Sequence, residues 1–228
     1  MTSPMLSVSV DGPIATLTMT RPDKRNAMCE GLLNAIDGFY SAPPEGVRAV
    51  ILTGTAGHFC SGLDLSEHVH RSAEQNLYHS RAWHAVMDKI QFGGLVTVSA
   101  MFGAVIGGGL ELAAATHVRI AEPSTVFQLP EGRRGIFVGG GATARVGRLL
   151  GADRMTEMML TGRKYDAAEG KTLGLAHYAV GEDEAMALAQ TLAARIARNA
   201  PMSNYLMIQS IARINDMSQS DGLDHQEI

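Results

Sequence analysis

Cysteine is scarce: Cys29 and Cys60 are the only two in 228 residues, and neither sits at a metal-type spacing. That excludes a disulfide framework and suits a reducing compartment, so a cytoplasmic protein is expected. The N-terminal stretch has no basic segment followed by an apolar one, and no secretion signal is expected. No Lys/Arg run is present, and a formal charge of −4 leaves no electrostatic footprint for nucleic acid or an anionic membrane. The uncharged run over residues 93–110 approaches a membrane span in length, but its six glycines, Thr97, Ser99 and missing basic flanks argue against one. What is present is ordinary for a soluble globular chain: 46% hydrophobic and 18% charged residues, in a length that can bury a substantial core.

Alternation over residues 6–10 and 14–19, broken by Asp11-Gly12-Pro13, predicts a hairpin. Leu32, Leu33, Ile36, Phe39 and Tyr40 have helical spacing that Pro43-Pro44 ends. Residues 47–53 then read as a strand buried on both faces. A long helix is expected over 66–90, with Leu77, Trp83, Val86, Met87 and Ile90 as a core stripe that could also line a pocket. A strand at 95–101, a glycine corner, a helix from about Gly108 and a strand at 117–121 continue the βα alternation, and helices dominate from Gly140 onward. The expected fold is therefore α/β.

Gly107-Gly108-Gly109 follows a strand and opens a helix, where free N–H groups meet the positive end of the helix dipole and favour negative charge. No Lys-Ser/Thr follows and the G-x-G-x-x-G spacing fails, so neither a Walker loop nor a dinucleotide site fits; close helix–sheet packing is the alternative. A second corner, Thr53 to Leu65, has the same design, and its Gly62-Leu63-Asp64 turn could present the Leu63 N–H. Two backbone donors from separate turns can converge on one oxygen, which is how an acyl oxyanion is stabilised without a side chain.

Four motifs in order, Arg21-Pro-x-x-x-Asn-Ala27, His58-Phe-Cys-Ser-Gly-Leu-Asp-Leu65, Ile106-Gly-Gly-Gly-Leu-Glu-Leu-Ala113 and Phe127-Gln-Leu-Pro-Glu131 followed by Gly135-Ile and a glycine run, resemble the crotonase (enoyl-CoA hydratase/isomerase) superfamily. The resemblance runs to about Asn199. It implies a crotonase-like spiral of ββα repeats over 1–199, with a helical trimerisation region at 200–228 that is expected to be truncated. It also implies an acyl-CoA thioester substrate, no separate cofactor, and a homotrimer or dimer of trimers. On the same ground, the N–H groups of Leu63 and Gly108 would form the oxyanion hole, and Arg25, Ala27, Ser61, Asp64 and Leu65 would lie along the coenzyme A. Glu111 and Glu131, 20 residues apart, match the two catalytic glutamates of the hydratase branch.

Hydration of an α,β-unsaturated thioester needs a base for the water that attacks Cβ and an acid that protonates Cα, and two carboxyls in different protonation states can do both. The expected assignment gives Glu111 to water and Glu131 to Cα. An isomerase, a thioester hydrolase on the same oxyanion hole, or a catalytically silent binding subunit are the alternatives. Family members commonly carry prolines where this chain has Phe137 and Val138, beside the acyl site. His68, His70, His79 and His84 fall on one expected helix but lack a completing ligand, so a solvated face is expected rather than a metal site. Cys60 reads as core, and Phe59-Cys-Ser-Gly62 lacks the first glycine of a nucleophile elbow. Arg133, Arg134, Arg145 and Arg148 could meet coenzyme phosphates, an interface or solvent.

Overall fold

The computed structural model describes residues 4–67 and 71–225. Strands β1 (Leu6–Asp11) and β2 (Ile14–Met19) form the hairpin, joined through Gly12 in a left-handed conformation. Parallel strands β3 (Ala49–Thr53), β4 (Val96–Met101), β6 (Val118–Ala121) and β8 (Tyr178–Ala179) extend it into a six-stranded sheet in the order β1-β2-β3-β4-β6-β8. Two short strands, β5 (Ala104–Ile106) and β7 (Val126–Gln128), pair in parallel beside it.

The central strands are buried on both faces, and alternation divides their side chains between two cores. Val50 and Leu52 of β3 join the larger core with residues of α1 (Glu30–Ser41), α2 (Ala73–Phe92) and α3 (Gly108–Ala114). Ala49 and Ile51 point the other way, with Val98 and Ile120, onto α7 (Ala185–Arg198). That helix presents Ala185, Ala189, Ala193 and Ala197 to the sheet, a small-residue stripe that lets the layers approach closely. Helices α4 (Ala142–Leu150), α5 (Ala152–Thr161) and α6 (Ala167–Thr172) precede α7, and α8 (Pro201–Ile214) and α9 (Gln219–His225) follow it.

The long helix begins at Ala73 rather than 66. Ser72 accepts from the Gln75 N–H and Gln75 reaches back to the Ser72 N–H, a capping box that fixes the start, while Leu65–Glu67 form a separate 3-10 turn. Val86, Met87 and Ile90 are core as expected, but Leu77 is exposed. The strands β5, β7 and β8 and the helix α9 are additions to the sequence reading. Among the described residues no helix is long and apolar enough to cross a membrane.

The alanine stripe is buried against the sheet. Ala193→Leu is expected to destabilise the fold by about 1–3 kcal/mol through overpacking, measured as a lower urea midpoint at unchanged m-value.

Candidate active site

The first turn of the site is held by residues far from it in sequence. Asn26 is fully buried in a left-handed conformation; its side chain accepts from the Arg21 N–H at 2.9 Å and donates to the carbonyls of Thr55 and His58 at 3.0 and 2.7 Å. Arg21 pairs with Asp64 at 2.8 Å. The Ser66 hydroxyl, together with Arg21, holds the Asp64 carboxyl down to about 2. Backbone bonds from Met28 to Gly62, Asp64 to Met28 and Ser61 to Arg25 complete the strap. Between these anchored neighbours, the Leu63 N–H has no hydrogen-bond partner among the described residues.

The second turn is the glycine corner. Gly107 has φ +53, and its N–H bonds the Gln128 carbonyl of β7 at 2.8 Å. Gly108 opens α3, whose seven residues are all buried, and its N–H is likewise unpartnered. The two turns touch where neither carries a side chain. A Cβ on Gly62 would lie 2.5 Å from the Ile106 carbonyl oxygen and 3.1 Å from the Gly108 nitrogen; one on Gly108 would lie 3.4 Å from the Leu63 nitrogen and 2.7 Å from the Trp83 ring. Two free amides are therefore brought together on one wall.

Glu111, in the first turn of α3, and Glu131, opening a 3-10 turn after β7, are 2% and 5% exposed. Each has one buried carboxyl oxygen without a partner, Oε1 of Glu111 and Oε2 of Glu131. Both line a cavity of about 350 Å³ that also touches Leu63, Trp83, Gly108 and the 136–140 loop. Burial, reinforced by the charge of Glu131, pushes the Glu111 carboxyl up to about 7, with the amides of Gly140 and Ala142 and the nearby Arg145 pulling the other way. Burial raises Glu131 as well. The arrangement brings two unpaired amides and two acids with displaced protonation into one partly dry hollow.

A wider groove of about 650 Å³ shares Leu63, Gly108 and Glu131 with that cavity. Arg25, Ala27, Ser61, Asp64 and Leu65 all line it, with Lys24, Arg133, Arg134 and Lys164 giving it positive charge. The Ser61 hydroxyl is spent on the Lys24 carbonyl, and the Asp64 carboxylate on Arg21 and Ser66, so these two shape the wall through their backbone. Arg145 and Arg148 do not reach this groove: Arg145 turns to Asp88, Gln91 and Gly140, and Arg148 pairs with Asp216.

Burial drives the Cys60 thiol up to about 12, which removes it as a nucleophile at neutral pH. His68 and His70 lie outside the described residues. Among the described residues no group of three or more His, Cys, Asp and Glu side chains could hold a metal. His79 accepts from the Trp83 indole N–H at 3.1 Å in the cavity wall. Arg21 and Asn26 were visible only as letters of a motif; their strapping role depends on contacts across 29 to 43 residues.

The sequence model of the enoyl-CoA hydratase/isomerase family matches residues 10–226. The mitochondrial enoyl-CoA hydratase domain-containing protein 2 of Bos taurus is 35% identical over 218 residues, covering 92% of this chain and 73% of the relative. A crystal structure of a Rhodopseudomonas palustris protein provisionally named an enoyl-CoA hydratase superposes with a TM-score of 0.93 at 46% identity, covering 96% of this chain and 85% of that one. The enoyl-CoA hydratase of Bacillus anthracis gives 0.91 at 28% identity, over 98% and 88%. The fold is thus shared with solved relatives.

A raised carboxyl binds its proton more tightly in the folded than in the unfolded chain, so it favours folding at low pH and costs stability once deprotonated. With Glu111 moved from 4.5 to about 7, stability is expected to fall as pH rises across that interval. Glu111→Gln is expected to remove about 3 kcal/mol of this decline, making the variant more stable than the parent at pH 8 but not at pH 4.5. Urea unfolding at the two pH values checks it; parallel pH profiles would contradict it.

Proposed function

The chain belongs to the enoyl-CoA hydratase/isomerase family, and from that premise we propose that it hydrates an α,β-unsaturated acyl-CoA thioester. The observation that carries the proposal is the pair of buried, half-unpaired carboxyls, Glu111 and Glu131, in the cavity that also receives the free amides of Leu63 and Gly108. A thioester oxygen placed between those amides would gain two donors as the enolate develops. Removing one such donor in other enzymes costs about 3–4 kcal/mol.

Glu111 lies one turn beyond the Gly108 amide, which sets it near the carbons next to the carbonyl. In this reading its carboxylate takes a proton from water as the oxygen attacks Cβ, and Glu131 delivers a proton to Cα as the enolate collapses. The net reaction is redox-neutral, and two carboxyls and two amides supply every proton and charge it requires. The adenosine phosphates of coenzyme A would meet the basic rim of Lys24, Arg25, Arg133, Arg134 and Lys164. The coenzyme enters as part of the substrate. A homotrimer, or a dimer of trimers, is proposed through α8, which leaves Met202, Tyr205, Met207 and Ile211 exposed.

Crotonoyl-CoA is expected to lose its enoyl absorbance band and gain one water by mass. Glu111→Gln and Glu131→Gln should each lower kcat by about 10³-fold, within the range for a lost general acid or base. Migration of the double bond without added water, release of free coenzyme A, or no reaction at all would overturn the reading in favour of isomerase, hydrolase or silent subunit respectively.

A further inference from the structure

Gly139, Gly140 and Gly141 join the apolar cavity wall to α4. Three glycines in a row do not fix their own path. Yet the path matters, because the amides of Gly140 and Ala142 favour the charged form of the Glu111 carboxyl, and Gly140 passes so close that a Cβ there would lie 1.9 Å from Glu111 Oε2.

The loop is fixed from outside, on α2. The Ser80 hydroxyl donates to the Gly139 carbonyl at 2.8 Å. One residue on, Arg145 Nη1 donates to the Gly140 carbonyl at 3.0 Å, while its Nε donates to Gln91 Oε1 at 2.6 Å and its Nη2 pairs with Asp88. The Arg145 side chain is only 10% exposed, and it runs directly beneath the loop: a Cβ on Gly141 would lie 2.3 Å from Nη1. Three acceptors on two elements are gripped by one planar fork.

We propose that Arg145 is a positioning residue for Glu111, tying the Gly140 carbonyl to Gln91 and Asp88 of α2 so that the amides of Gly140 and Ala142 are presented to the Glu111 carboxylate. This rests on the reading of Glu111 as the group that works on water. Arg145 makes no hydrogen bond to Glu111; beyond the direct pull of its charge, it acts through the peptide between them. Lysine would keep the charge but could not hold three acceptors in a plane. Of the other titratable groups, Glu131 from the 3-10 turn and His79 of α2 share the Glu111 cavity, while Asp88 pairs with the guanidinium and His84 of α2 lies beside Gly141 in a neighbouring hollow.

Arg145→Lys and Arg145→Met separate positioning from charge. Glutamate labelled with ¹³C at the carboxyl lets the titration of Glu111 be followed by NMR in the substrate-free protein, with Glu111→Gln assigning the signal; crotonoyl-CoA hydration is measured alongside. Both variants are expected to move the Glu111 titration to higher pH by at least ~0.5, and to lower kcat about 100-fold with KM within about twofold, the scale of an ångström's misplacement. An unmoved titration in Arg145→Met, or parental behaviour of Arg145→Lys, overturns the proposal. If Arg145→Met does not fold, Gln91→Leu removes one anchor of the same fork and should shift the titration in the same direction by less; no shift there also overturns it. A wild-type protein that does not hydrate crotonoyl-CoA, but whose Glu111 titration responds to Arg145 as described, sinks the hydratase reading and leaves the positioning role standing.

Discussion

Two chain reversals, one after β3 and one after β5, meet at a point where neither can carry a side chain, and the site follows from that contact. Gly62 presses on the Ile106 carbonyl and the Gly108 nitrogen, and Gly108 on Trp83 and the Leu63 nitrogen. Parallel strands ending at one edge of a sheet aim their following turns at common ground, so such contacts concentrate there. The amides of Leu63 and Gly108 emerge side by side because each is the residue its own turn leaves without a ladder partner. Everything else serves to keep the turns in contact: the Arg21–Asp64 pair, the side-chain bonds of Asn26, and the bond from Gly107 to β7.

Against that wall the chain places two acids where solvent barely reaches, at a cost to the fold. Unpaired carboxyl oxygens are tolerated because the surrounding layers over-determine them. The sheet behind is buried on both faces, with α7 on one side and the larger core on the other. The glycine loop at 139–141 shows the same division of labour. Its freedom allows close approach to Glu111, while Ser80 and Arg145 supply the rigidity that the loop lacks.

Legibility in the sequence followed physical range. The hairpin, the buried strand β3 and the helix opening at Gly108 were visible because alternation, apolar run length and a strand-to-helix glycine corner are local signals. The two glycine corners pointed to Gly107-Gly108-Gly109 and to the Leu63 N–H, and the motif resemblance singled out Gly108, Glu111 and Glu131; the structure places Leu63, Gly108, Glu111 and Glu131 around one cavity. The strands β5 and β7 were invisible, since three residues are too few for a period to show. The start of α2 was misplaced although its signal, Ser72 and Gln75 three apart, was there to be read. Asn26, Arg21 and Arg145 went unexplained because each acts across tens of residues. Trp83, read as core stripe, is buried and also lines the cavity, which helical periodicity alone cannot distinguish.

The central claim is that the amides of Leu63 and Gly108 grip one thioester oxygen. Infrared difference spectroscopy of bound butanoyl-CoA, ¹³C-labelled at the carbonyl and saturated so that no hydration follows, tests it most directly. Two converging donors predict a carbonyl stretch well below that of the same thioester in water. A band at or above the aqueous frequency would contradict the account.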